Sequence, residues 1–291
     1  MGTQLAERYR GATDAEVRTL SAVERGMQDR DWVPTGEIPG LARLPGEDID
    51  HALDALNDDE LVERHRERHE GYRLTFDGYD LLALNALVES DAVVDLGGAV
   101  NEGKESVIYA ARGESGDVVV KFHREGYSTF RDVDRTRAYA DEKHHTSWIY
   151  RARKAAEREY DTIAQLHPEV SVPRPIAQNR HAVVLEHVDA KELSTVSVDH
   201  PITVLDAVVA QIAGAWQAGY VHADISEYNV LVAPDDVVLI DWPQAVERDH
   251  PHADELLERD LTNIRSYVAR KYPSRDVPEV HDLVARVTGD G

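Results

Sequence analysis

The spacing of apolar residues changes near residue 90 of this 291-residue chain, and that change narrows the architectures open to it. Before it, "TDAEVRTLSAVERGMQD" (13–29) and "GEDIDHALDALNDDELV" (46–62) carry apolar side chains at helical spacing, the second through Ile49, Leu53, Leu56 and Leu61. Thr13 or Asp14 stands where an N-cap would. "LVERHRERHEGYRLTF" (61–76) alternates on both sides of Glu70-Gly71, which predicts a hairpin, and "DGYDLLALNALVE" (77–89) predicts a closing helix. Helices, a hairpin and a packing helix together predict a winged helix-turn-helix over residues 1–90, a fold that meets nucleic acid or docks proteins. His65 and His69 stand four apart, as zinc ligands on a helix do, but they fall in the hairpin among charges and we set a metal there aside.

Past residue 90 the texture is strand-rich. "AVVDLGG", "ESVIYAAR" and "DVVVKFHR" are β-branched runs broken by Gly-rich turns, which predicts an antiparallel sheet. A long helix over 147–167 comes next, then two strands in "RPIAQNRHAVVLEHVD" (174–189) joined at Gln178 to Arg180. "PITVLDAVVAQIAGAWQAGY" (201–220) is a nearly all-apolar helix, which must be buried. "VLVAPDDVVLIDW" (230–242) predicts a second hairpin turning at Asp235-Asp236. "ADELLERDLTNIRSYVARKYP" (253–273) predicts a last amphipathic helix, ahead of an irregular final dozen residues. The fold class is α+β, with a second domain over 91–291.

Between the apolar helix and the second hairpin lies "VHADISEYNVLV" (221–232). His222-x-Asp224-x4-Asn229, followed by a hairpin ending in Asp241, is the layout of a kinase-type phosphoryl-transfer site. Magnesium takes carboxylate and amide oxygens, which Asn229 and Asp241 supply, while Asp224 stays off the metal and orients the nucleophile. The apolar flanks Val221 and Val230-Leu231-Val232 anchor the loop on both sides. Such a site also needs a strand lysine and a helix glutamate. Lys121 in "VVVKFHR" fits the first; Glu157 and Glu159 both suit the second, and Glu159 is preferred.

Five ordered segments carry a resemblance: "NEGKESVIYAA", "KFHREGYSTFRDV", "SWIYRARKAAEREY", "HADISEYN" and "IDWPQAV". Together they resemble the RIO family of atypical serine/threonine protein kinases, over about residues 1–272, and a winged helix before the kinase points to the second RIO subfamily. The resemblance implies a minimal two-lobed kinase domain, with lobes of about 91–188 and about 189–275, lacking the activation segment and the substrate-binding helices. It implies ATP with magnesium, or manganese as the alternative ion. It implies that Lys121 pairs with nucleotide phosphates, that Glu159 positions it, that Asp224 is catalytic, and that Asn229 and Asp241 hold metal. Gly103, Lys104 and Ser106 would cover the phosphates, and Glu186 and Val188 would lie at the adenine hinge. The implied partner is a maturing small ribosomal subunit particle with its rRNA. The chain departs from the family pattern at Asn101, where the phosphate loop normally carries glycine, and at Trp242, where phenylalanine is expected. Asn is the next most tolerant residue for unusual φ.

Only 50 residues come after Asp241, too few for a peptide-gripping platform, so the expected activity is ATP hydrolysis or self-phosphorylation working as a switch. Ser128 and Thr129, in the long segment 124–145, are candidate acceptors, and Asp241 is a candidate for a transient acyl phosphate. Two other readings share the motif or the domain order: a small-molecule phosphotransferase, and a winged-helix regulator whose second half senses ATP. Acidic residues number 55 against 32 basic, a net charge of −23, and six of the basic residues are lysine. Molar salt shortens the Debye length to about 3 Å and silences such repulsion, so the composition suits an archaeal halophile. Local basic clusters, Arg64, Arg66 and Arg68 in the wing and Arg131, Arg135 and Arg137 in the long segment, could still meet phosphate. The chain has no cysteine, no bilayer-length apolar run and no signal-peptide core in "MGTQLAERYR", which predicts a cytoplasmic protein without disulfides or thiolate chemistry.

Overall fold

The computed structural model describes residues 2–66, 70–103, 105–124, 145–234 and 236–289. Arg68, His69, Lys104, Ser128, Thr129, Arg131, Arg135 and Arg137 lie outside the described residues. The chain forms two compact units, Met1–Ala156 with Ile176–Val184, and Glu157–Pro175 with Leu185–Gly291.

In the first unit, helices Gly2–Gly11, Asp14–Gly26, Ile38–Ala42 and Gly46–Asp58 precede the strands Val62–His65 and Gly71–Leu74, and helix Phe76–Glu89 closes the set. A short strand, Val33–Pro34, joins the hairpin to make a three-stranded sheet. Thr13 and Glu16 form a reciprocal cap at the start of Asp14–Gly26, where Thr13 N–H donates to the Glu16 carboxylate at 2.6 Å. Thr75 caps Phe76–Glu89 by accepting the Gly78 N–H at 3.1 Å. Gly78 is obligatory, because a Cβ there would lie 2.1 Å from the Leu61 carbonyl oxygen. The second sheet runs in the spatial order Asp95–Glu102, Ser106–Gly113, Gly116–His123, Ala182–Glu186, Pro175–Asn179. Residues on both sides of position 90 share one hydrophobic core, in which Leu20, Ile49 and Leu84 continue through Val93 to Phe122 and Val184.

The second unit is built round helix Pro201–Gln217, whose Leu205, Val208, Val209 and Ile212 are buried at about 1.5–3 kcal/mol each. Hairpin Val230–Val232 with Val237–Leu239 pairs with Lys191–Glu192, and Tyr220–Val221 pairs with Val246–Glu247. Helix Ala253–Lys271 buries Leu257, Leu261, Ile264 and Val268. The expectation of an irregular C-terminal dozen is corrected: Val280–Thr288 is a helix that buries Leu283 and Val287 and packs on both longer helices. Nine residues give too few apolar repeats to announce a helix, and tertiary packing rather than propensity forms it. Helix Gly2–Gly11 was likewise not foreseen. Helix His145–Leu166 runs from the first unit into the second. No helix among the described residues is long and apolar enough to cross a membrane.

Candidate active site

The sequence-predicted residues fall into both units. In the first, Lys121 sits on strand Gly116–His123 opposite Ile108, and is only 5% exposed. Buried neighbours Val120 and Phe122 point to the other face of the strand, as the period of two requires. Gly103 and Ser106 form the turn into strand Ser106–Gly113, and Gly103 N–H donates to Ser106 O at 2.9 Å. A Cβ at Gly103 would lie 3.5 Å from Ser106 O, an ordinary contact, so the turn itself does not demand glycine. Asn101 pairs with Ile108 within strand Asp95–Glu102, next to a register shift.

The second unit gathers more. Asp224 is exposed, while both its neighbours, Ala223 and Ile225, are buried. Ala223 adopts φ +63 and Asp241 φ +71, left-handed backbone that a non-glycine residue holds only when its surroundings enforce it. Helix Ala253–Lys271 does so for the loop. The Asp260 carboxylate accepts Ala223 N–H at 2.7 Å and Ile225 N–H at 3.0 Å, Arg259 donates to Ala223 O, and Asn263 Nδ2 donates to Ile225 O at 3.2 Å. The peptides on both sides of Asp224 are therefore clamped from one helix. Burial pushes the Asp260 pKa up to about 6. The two backbone donors and Arg259 oppose that rise, and the nearby Asp224 charge adds to it. Neither Asp260, Arg259 nor Asn263 was foreseen. A signal existed, since Asp260 interrupts the buried row Leu257, Leu261, Ile264.

Asn229 bonds to this loop directly, and Glu159 bonds to the Trp242 backbone next to Asp241. Asn229 Nδ2 donates to Asp224 O at 2.8 Å, which fixes the amide, and Ile240 N–H donates to Asn229 O at 3.1 Å. His222 is buried against Trp242, with ring centroids 4.3 Å apart, and its Nε2 lies 3.0 Å from Ile240 O. Trp242, directly after Asp241, donates its N–H to Glu159 Oε1 at 3.2 Å, and Glu159 is fully buried. Glu157, the other candidate, is half-buried. Glu186 is exposed with its N–H on Arg174 O at 2.9 Å, and half-buried Val188 accepts Ala190 N–H at 2.9 Å. His65 lies against Trp32 in a tilted ring contact, 5.1 Å between centroids.

Among the described residues, no group of three or more His, Cys, Asp or Glu side chains is placed to hold a metal ion. Asn229 and Asp241 are two hard oxygen donors on one loop-and-hairpin. That set suits an ion which takes one or two protein ligands and completes its shell with phosphate and water, as magnesium does.

Comparison with known proteins gives a consistent picture. A family model described as the RIO domain matches residues 107–280, and one described as Rio2, N-terminal, matches residues 9–90. The RIO-type serine/threonine-protein kinase Rio2 of Methanocaldococcus jannaschii is 36% identical over 254 residues, covering 84% of this chain and 93% of that protein. Serine/threonine-protein kinase rio2 of Schizosaccharomyces pombe is 35% identical, covering 96% and 82%. A crystal structure described as the Rio2 kinase-ADP/Mg2+-phosphoaspartate complex from Chaetomium thermophilum superimposes with a TM-score of 0.83 at 32% identity, covering 98% of this chain and 90% of that one.

Proposed function

Because the chain belongs to the RIO family of serine/threonine-protein kinases, we propose that it binds ATP with magnesium and uses the γ-phosphoryl group to switch its own state. The observation that carries the proposal is Asp224 exposed between two clamped peptides, with Asn229 bonded to its carbonyl and Glu159 holding the Trp242 N–H directly after Asp241. Asp224 would orient the group that attacks the γ-phosphorus and would take a proton only from water or a hydroxyl acceptor, since a carboxylate acceptor has none to give. Asn229 and Asp241 would hold the magnesium ion, which when bound neutralises the phosphate charge. Lys121 would meet phosphate oxygens, Glu159 would position it, Gly103 and Ser106 would cover the phosphates, and Glu186 and Val188 would line the adenine edge.

The switch reading rests on the helices C-terminal to Asp241. Ala253–Lys271 and Val280–Thr288 bury their apolar faces in their own unit, so among the described residues they offer no separate platform for a peptide. A phosphoaspartate in the Chaetomium thermophilum complex supports an aspartate acceptor, and in this chain we assign it to Asp241. We further propose that residues 1–90 are a winged helix and that the cellular partner is a maturing small ribosomal subunit in the cytoplasm of a halophile. Helix Gly46–Asp58 carries Glu47, Asp48, Asp50, Asp54 and Asp58 with neither lysine nor arginine, so RNA would be met elsewhere, as by Arg66 of the hairpin.

Incubation with γ-labelled ATP and magnesium tests the switch. Label retained on the chain and released by hydroxylamine, with little transfer to free peptides, is the expected result. Robust multiple-turnover phosphorylation of peptides overturns the switch, and hydroxylamine-resistant label overturns the assignment to Asp241.

A further inference from the structure

We propose that Asp80, outside the kinase-like motifs, is a positioning residue for the phosphate-covering turn at Gly103–Ser106, acting through Arg124. The proposal rests on that turn covering the nucleotide phosphates. Asp80 is 3% exposed on helix Phe76–Glu89. Its carboxylate is gripped at both oxygens by Arg124, with Nη1 at 2.7 Å from Oδ1 and Nη2 on Oδ2, and it takes a third bond from His181 Nε2 at 2.7 Å. Three distant stretches meet here: a helix before residue 90, the end of strand Gly116–His123, and the turn between Pro175–Asn179 and Ala182–Glu186.

The charges in this cluster balance internally. Burial pushes Asp80 toward protonation, but Arg124 and His181 outweigh it and its pKa is lowered. Burial holds His181 down, to about 4, so the imidazole is neutral. Only a protonated Nε2 satisfies a carboxylate oxygen at 2.7 Å, which leaves the buried Nδ1 as a lone pair without a hydrogen-bond partner. Tyr79 stacks on that ring at 4.4 Å, and the Arg124 guanidinium lies 4.9 Å above Phe76. Arg124 is thereby committed inward, facing Asp80.

The backbone of Arg124 makes the connection to the turn. Its N–H donates to Glu105 O at 2.6 Å, one peptide before Ser106, and Ser106 pairs with His123. In a trans peptide the N–H lies opposite the C=O, so pinning Glu105 O also sets the direction of the Ser106 N–H. Asp80 fixes the guanidinium, the guanidinium fixes the last rung of the strand, and that rung fixes the turn.

A second ion pair supplies the control. Arg180 forks onto Glu24 at 2.8 and 2.7 Å, tying the same 179–181 turn to helix Asp14–Gly26, but its remaining bonds go to Leu82 O and Asn179. Magnesium-ATP affinity and steady-state ATP hydrolysis are measured on the full chain, below its melting temperature, for wild type, Asp80→Asn, Glu24→Gln and Lys121→Met. Asp80→Asn is expected to weaken ATP binding about tenfold and raise KM with little change in kcat. Glu24→Gln is expected to lower the melting temperature while keeping ATP affinity within about twofold. Should Asp80→Asn fail to fold, Asp80→Asn with Arg124→Gln, which leaves no lone buried charge, takes its place and is read the same way. Wild-type affinity in the Asp80 variant, with Lys121→Met weakened, overturns the positioning role and leaves the site intact. Equal weakening in Glu24→Gln makes Asp80 merely structural and also overturns the role. Unchanged binding in Lys121→Met overturns the reading of the site itself.

Discussion

Removing the Asp260 carboxylate separates the stability of the second unit from its activity. In Asp260→Ala the buried N–H groups of Ala223 and Ile225 lose their acceptor, at about 1–3 kcal/mol each. Against that, the charged carboxylate is itself unfavourable in this place. Its pKa stands about two units above an ordinary aspartate, so deleting it at neutral pH returns about 3 kcal/mol. The two effects nearly cancel, and the variant should lose only about 1 kcal/mol of global stability. Activity has no such compensation. Asp224 sits between the two released peptides, and a displacement of about 1 Å in a catalytic group lowers turnover about a hundredfold. Thermal melting and ATP turnover on the same preparation read both quantities; wild-type turnover in Asp260→Ala refutes the clamp. The same group predicts a pH dependence. Between about pH 4 and the folded-state pKa of about 6, the native chain holds a proton that the unfolded chain has released. Its contribution to stability is therefore full below that window and falls by about 3 kcal/mol as pH rises through it. The difference between wild type and Asp260→Asn, in denaturant titrations across this range, should show that slope; a flat difference contradicts it.

Raising salt from dilute to molar should raise the melting temperature, because a net charge of −23 repels itself in dilute buffer; a falling curve contradicts the halophile reading. Trp242→Phe should cost about 2 kcal/mol in denaturant titration, since the fully buried indole donates to Leu239 O at 3.2 Å and phenylalanine leaves both a void and an unmet carbonyl; no loss means the pocket refills. Ala223→Gly should change stability by less than about 0.5 kcal/mol, because relief of the left-handed strain at φ +63 offsets the entropy cost of glycine; a loss above about 1 kcal/mol means the loop holds alanine unstrained.

Local patterns were legible in the sequence and distant partnerships were not. The hairpins at 61–76 and 230–242 could be read because alternation and turn residues act within a dozen positions, and strands Val62–His65 with Gly71–Leu74 and Val230–Val232 with Val237–Leu239 lie inside those spans. The His-x-Asp-x4-Asn spacing was readable for the same reason. Asp260 lies 37 residues from the N–H it holds, and Asp80 lies 44 from Arg124 and 101 from His181. No periodicity carries information over such distances. The change of texture at residue 90 is real in the sequence, yet the core runs across it, because burial tracks apolar surface and not the order of motifs. An aspartate inside an apolar helical row, as at positions 80 and 260, is a mark in the sequence that could have pointed to both networks, whose burial the structure shows.

A crystal structure of the chain grown with magnesium and a non-hydrolysable ATP analogue tests the central claim most directly. The account predicts one metal ion with Asn229 Oδ1 and an Asp241 oxygen at about 2.1 Å, and Lys121 Nζ on a phosphate oxygen of the same nucleotide. A nucleotide bound elsewhere, or a metal shell without both side chains, contradicts it.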